Sequence, residues 1–232
     1  MKKIICVIGL LLFSINIQSQ VLISLLLGDK LNSDGLEFGL ETGFNFSQIS
    51  NLESSSTLGT WNIGFYFDIR MKNQWSLYTG VLVKSNLGTN KLTETDLEML
   101  NSTIYDEGGD YSQRMNYFLV PALVRYKFRN NMYAEAGPQF GLMYKAWVEY
   151  NADSGDREAR IRESNKDDIN SLDAGLTIGT GYILSKGTGI TIGLKYYFGL
   201  VNVYKDINNT RNSSLFLKVN IPIGANKAKN KN

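Results

Sequence analysis

The stretch Trp61–Arg70, WNIGFYFDIR, alternates without a break. Trp61, Ile63, Phe65, Phe67 and Ile69 fall on one parity, and Asn62, Gly64, Tyr66, Asp68 and Arg70 on the other. A β-strand throws successive side chains to opposite faces, so this segment has one apolar face and one face able to hold charge. Whether the apolar face meets a protein core or hydrocarbon separates a soluble β-sandwich from a membrane barrel.

The same two-residue period recurs in eight segments, near 36–48, 61–70, 75–88, 114–128, 132–148, 171–184, 189–204 and 213–223. In their central spans the apolar parity carries no charge. The other parity carries Glu37, Glu41, Asp68, Arg70, Lys84, Arg125, Lys127, Glu135, Lys145, Asp173, Lys195 and Lys218. A Lys or Arg on a lipid-facing strand at mid-membrane costs ~2–4 kcal/mol, reason enough to exclude it. A sandwich also keeps charge off its core face, so alternation alone leaves both folds open.

Three further features favour the barrel. The runs cover about 11–17 residues, against ~5–6 for an average globular strand and ~9–11 for a tilted membrane-spanning one. Connections alternate in length: those near 71–74, 129–131 and 185–188 are tight, whereas those near 49–57, 89–113, 149–170 and 205–212 are longer. Apolar-face aromatics gather toward strand ends, with Phe67, Trp75, Tyr126, Phe128 and Tyr182 at the short-turn end and Phe46, Trp61, Tyr144 and Tyr204 at the other. Amphipathic rings favour the headgroup level. A sheet in lipid must also close, since an open edge leaves backbone groups unpaired. The expected fold is therefore all-β: an eight-stranded antiparallel up-and-down transmembrane β-barrel with short periplasmic turns and longer extracellular loops. Its twelve inward charges form a structural lumen network, paired across a bore just wide enough for side chains, with glycines making room.

The start of the chain reads as a secretory signal: Lys2 and Lys3, the apolar run Ile4–Ile15, then polar residues. The expected organisation is a signal peptide over 1–19, a short periplasmic segment over 20–35 with a short helix at Val21–Leu27, the barrel over 36–224, and a basic periplasmic tail over 225–232. Removing the two signal lysines takes the formal net charge of +2 to about zero, so the pI near 8.5 is no argument for nucleic-acid binding.

The segments LISLLLGDKLNSDGLEFGLETGFNFS (Leu22–Ser47), YFLVPALVRYKF (Tyr117–Phe128), YAEAGPQFGLMY (Tyr133–Tyr144), DAGLTIGTGYIL (Asp173–Leu184) and ITIGLKYYFGLVNV (Ile190–Val203) resemble the PorT-like outer-membrane β-barrel family of Gram-negative bacteria. The proline after an aliphatic run and the AGP triplet are the most specific points. The resemblance implies an eight-stranded barrel with both termini in the periplasm. The name-giving member's link to protein secretion does not transfer on these motifs. The ending NIPIGANKAKNKN departs from the usual barrel terminus, where the chain stops at an aromatic residue.

The residue inventory restricts the chemistry. There is no histidine, and the one cysteine, Cys6, lies in the signal region. That removes most metal sites and every Ser-His or Cys-His nucleophile system, so no catalytic residue, cofactor or metal is expected. Glu37 and Glu41 lie near enough to share a proton, although pairing with Lys218 or Arg70 is the simpler expectation. YDEGGDY (Tyr105–Tyr111) offers Asp106, Glu107 and Asp110 as Ca²⁺ ligands but reads more simply as a solvated acidic turn. NADSGDREARIRESNKDD (Asn151–Asp168) reads as a mobile charged loop, or as a short helix from the Glu158–Arg162 spacing. The functional expectation is a structural or interaction protein of the outer membrane, with outer-membrane lipid and envelope or secretion proteins as partners and no small-molecule substrate. A narrow transport barrel and a secretion-machine component are the alternatives.

Overall fold

A computed structural model describes residues 35–54, 56–105, 108–153, 158–184 and 189–223. The expected signal, periplasmic segment, tail, Asp106 and Glu107 lie outside the described residues. Nine strands form: β1 (Leu36–Ile49), β2 (Ser56–Arg70), β3 (Trp75–Asn90), β4 (Asp110–Lys127), β5 (Met132–Asp153), β6 (Glu158–Ser164), β7 (Leu172–Ile183), β8 (Thr191–Asn202) and β9 (Arg211–Pro222). One helix, α1 (Glu94–Met99), lies between β3 and β4.

Eight of these strands close into a ring. Each of β1 to β5 pairs with its chain neighbour, β5 with β7, β7 with β8, β8 with β9, and β9 returns to β1. Every pairing is antiparallel. The remaining strand, β6, pairs only with the far end of β5 and projects as a hairpin beyond the ring. The segment expected to be a mobile loop or a helix is thus largely strand. Arg162 stands opposite Glu149 across the hairpin and has no helical neighbour at Glu158.

The wall inverts the usual pattern of a globular protein. Leu176 is 53 % exposed and Leu194 45 %, whereas Arg125 and Lys218 are each 2 % exposed. Large apolar groups cover the outside, where a water-facing wall would expose an unusually large apolar surface. Bands of rings mark its two edges. Trp75 packs edge-on against Tyr126, and Tyr126 against Phe128, at the short-turn end. Phe46, Trp61 and Tyr144 are exposed toward the other end, where Phe118 lies 4.7 Å from Tyr144. Tyr204 is the exception. Instead of joining the band it is buried, and its hydroxyl donates to Gln113 Oε1 at 3.1 Å.

Two β-bulges break the alternation. In β3 the pairing with β4 slips between Leu82 and Ser85; in β5 it slips where Asn116 faces Lys145 and Tyr117 faces Met143. An extra residue reverses the parity of everything after it. Leu87, expected on the lipid face, therefore points inward and is fully buried, and Ala146, Val148 and Tyr150 turn inward with it.

Candidate functional site

Charged side chains converge in the lumen, which divides into two halves. Toward the short turns it is ionic. Arg125 on β4 sits at the centre, donating from Nη1 to Asp68 Oδ2 on β2 at 2.8 Å. Its Nε and Nη2 both reach Glu135 Oε2 on β5, at 2.9 and 2.6 Å. The guanidinium lies between the rings of Tyr78 and Tyr133, 3.9 and 4.3 Å from their centroids. Lys127 joins Asp68 at 2.9 Å near the rim. Lys218 on β9 reaches across to the other oxygen of Glu135. Lys195 on β8 donates to Glu41 on β1 at 2.8 Å, and the Tyr78 hydroxyl donates to the same carboxylate. Asn220 closes the circuit by donating to the Tyr78 oxygen at 2.8 Å.

A Cβ at Gly181 or Gly193 would collide with the Tyr133 ring or hydroxyl, and one at Gly39 with the Tyr66 ring. These inward glycines make space for Tyr133, one of the two rings on Arg125, and for Tyr66. A cavity of about 50 Å³ remains at the short-turn mouth, bounded by Glu37, Asp68, Arg125 and Lys127.

Toward the long loops the lumen mixes apolar side chains with buried polar ones, among them Asn45, Asp173 and Asn212. Leu82, Met115, Tyr117, Leu119, Met143 and Phe216 are all buried in one cluster. Leu119 and Leu123 share the inward parity with Arg125, so aliphatic side chains stand in the lumen beside the charges and glycines expected there. Helix α1 then lays Leu97 and Leu100 onto the same cluster. It is held by a capping box, in which Asp96 N–H donates to Thr93 Oγ1 and Thr93 N–H to Asp96 Oδ2. Asp96 also accepts from the backbone of Glu53 and Ser54, tying the β1–β2 connection to the helix. TETD (Thr93–Glu94–Thr95–Asp96) is a legible helix start that the expectation of a plain loop passed over.

Of the twelve expected lumen charges, Glu37, Glu41, Asp68, Arg125, Lys127, Glu135, Asp173, Lys195 and Lys218 face inward. Arg70, Lys84 and Lys145 do not join them. Arg70 is exposed at the short-turn rim, one step past the enclosed part of β2. The bulges turn Lys84 and Lys145 to the outer wall. Glu37 and Glu41 share nothing: Glu37 accepts from the Tyr66 hydroxyl at 2.8 Å, and Glu41 is held by Lys195 and Tyr78. Asp173 sits apart in the upper lumen, accepting from Asn212 Nδ2 at 2.9 Å, with no ion pair among the described residues.

Beyond the ring, Glu149 on β5 is gripped by Arg162 at 2.7 Å and Arg114 at 3.0 Å. Burial opposes its ionised form; the Arg162 hydrogen bond and the Arg114 charge outweigh it and hold the pKa below the usual carboxylate value. Among the described residues no group of three or more acidic, His or Cys side chains is placed to hold a metal.

A family model described as "outer membrane protein beta-barrel domain" matches residues 18–205. No curated protein matches the chain. Similar solved structures include Neisserial surface protein A, at 13 % identity over 81 % of this chain and 99 % of that one, with a TM-score of 0.41. The attachment invasion locus protein Ail of Yersinia pestis is 11 % identical over 82 % of this chain and all of that one, with a TM-score of 0.43. OprG of Pseudomonas aeruginosa is 13 % identical over 81 % of this chain and 93 % of that one, with a TM-score of 0.36.

Proposed function

We propose that this chain, which belongs to the outer membrane protein beta-barrel domain family, is a closed structural barrel that passes no solute and acts through its long-loop end. One observation carries the reading. Contacts cross the bore from wall to wall: Lys218 on β9 to Glu135 on β5, and Asn220 on β9 to Tyr78 on β3. An eight-stranded barrel has room for side chains and little else. The upper half, where apolar side chains and helix α1 fill the bore around the carboxylate of Asp173, adds a second closure. The reading assigns no catalysis, since the chain has no histidine and its one cysteine is Cys6.

The surface offered to partners is the β5–β6 hairpin with the capped β3–β4 connection, facing the cell exterior. Residues 1–19 serve as a cleaved signal, leaving Gln20 first, with 20–35 and 225–232 on the periplasmic side. Within the family, the motifs YFLVPALVRYKF and YAEAGPQFGLMY support a place among the PorT-like members.

Planar-bilayer recording with purified protein tests the closed bore. Flat current at both polarities is the expected result. Discrete single-channel steps would overturn it and favour a transport barrel. Crosslinking on intact cells followed by pull-down tests the alternative role in a secretion or assembly machine, which predicts a defined envelope complex.

A further inference from the structure

Both bulges do the same thing to the same kind of residue. On the parity of its neighbours Lys84 would follow Leu82 into the lumen, and Lys145 would follow Met143. The slips in β3 and β5 put both lysines on the outer wall instead, where each is exposed. A bulge interrupts the ladder, and its usual effect is to re-aim a side chain. Each lysine rests on an indole: Lys84 Nζ is 4.6 Å from the Trp61 ring centroid and Lys145 Nζ 5.3 Å from that of Trp147. Among the described residues neither ammonium has a carboxylate within ion-pair distance.

The neighbouring positions extend the pattern. Register places Arg114 beside Trp147 on β4 and Arg162 and Arg160 on β6 across the hairpin from Glu149 and Asn151. Arg114 and Arg162 share one carboxylate, Glu149. The opposite wall differs. Outward positions of β7, β8, β9 and β1 carry one cation, Arg211, among the described residues. Register sets Lys84 opposite Ile63, two positions short of Trp61 in the band of Trp61, Phe118 and Tyr144, and Lys145 directly follows Tyr144; the Lys84 ammonium reaches back to the Trp61 ring, at the depth where a lipid-facing wall meets headgroups. Lys84 and Lys145 flank β4 on its two sides, about 10 Å apart across the sheet at ~4.8 Å per strand.

We propose that the outer wall of β3 to β6, at this aromatic band, binds the phosphate of an anionic lipid headgroup, with Lys84 and Lys145 as the contacting cations and Trp61 and Trp147 as their supports. The occupant is a membrane lipid because the site continues the hydrocarbon-facing wall, so an acyl chain can lie on Phe118 and Val120 while its phosphate meets the lysines. A phosphate oxygen accepts charge-assisted hydrogen bonds from both ammonium groups. The inference is independent of whether the bore is closed; a conducting barrel would bind the lipid equally well.

Native mass spectrometry of the detergent-solubilised full chain tests it, with phosphatidic acid, phosphatidylcholine and inorganic phosphate as probes. Phosphatidic acid is expected to be retained about thirtyfold over phosphatidylcholine, the scale set by two lysines at an anionic surface. Lys84→Gln/Lys145→Gln should abolish that preference, each single variant should lose part of it, and Arg211→Gln should keep it. Heat-modifiable gel migration confirms that each variant is folded. Equal retention of the two lipids, an unchanged preference in the double variant, or an equal loss in Arg211→Gln would overturn the proposal. So would displacement of the lipid by millimolar inorganic phosphate, which would mark a site for free anions.

Discussion

Arg125 is the side chain on which the ionic half of the lumen converges. Asp68 and Glu135 both lean on it, and two tyrosine rings cover its faces. Removing one member of a buried ionic cluster leaves the others uncompensated, which costs about 3–5 kcal/mol. Arg125→Met is therefore expected to lower the barrel's unfolding free energy by that order in urea titrations followed by tryptophan fluorescence. Adding Asp68→Asn and Glu135→Gln should recover much of the loss, because the stranded charges then disappear with it. A loss that the triple variant does not recover would mean that Arg125 acts by packing alone. The need for opposite charges inside was legible from parity. The actual partners were not, since Glu41 meets Lys195 from a strand more than 150 residues away in sequence.

Among the elements, the β5–β6 hairpin stands furthest from the sequence reading. Its charges read as a loop because Glu158 and Arg162 carry no two-residue apolar pattern, yet β6 is held by pairing with an unusually long β5. Glu149 ties it down, and its pKa is depressed. A carboxylate depressed in the fold adds stability above its ordinary value and loses it as pH falls through the folded one. Amide exchange at Val148, Tyr150 and Ile161, measured relative to the barrel strands, should thus quicken on acidification below pH ~4. Arg162 is half exposed, so the effect is modest, at most about 1 kcal/mol. Glu149→Gln should loosen the hairpin at neutral pH and flatten the acid response; an unchanged acid response would assign it to another group.

Taken as one object, the barrel is a protein whose outside demands hydrocarbon. Leu194 lies on the exposed wall of β8, paired across the sheet with Leu217 and Thr180. Leu194→Arg should cost ~2–4 kcal/mol in the bilayer. We expect it to block assembly into vesicles, read as loss of heat-modifiable migration. Lys84→Leu, on the same face with its ammonium replaced by an apolar group beside Trp61, should assemble normally. Equal behaviour of the two would place the membrane boundary wrongly.

The face of most strand residues was written in the chain, because a two-residue period survives in one dimension: WNIGFYFDIR already separates Phe65 from Asp68. Ring closure followed from the same logic, since lipid leaves no other fate for a sheet edge. The bulges were a matter for three dimensions. Whether β3 slips at Leu82–Ser85, or β5 at Lys145, depends on how neighbouring strands register, and no residue announces it alone. That slip sends two lysines from the lumen to the outer wall and turns Leu87 and Val148 into the apolar closure, because one inserted residue reverses every side chain beyond it.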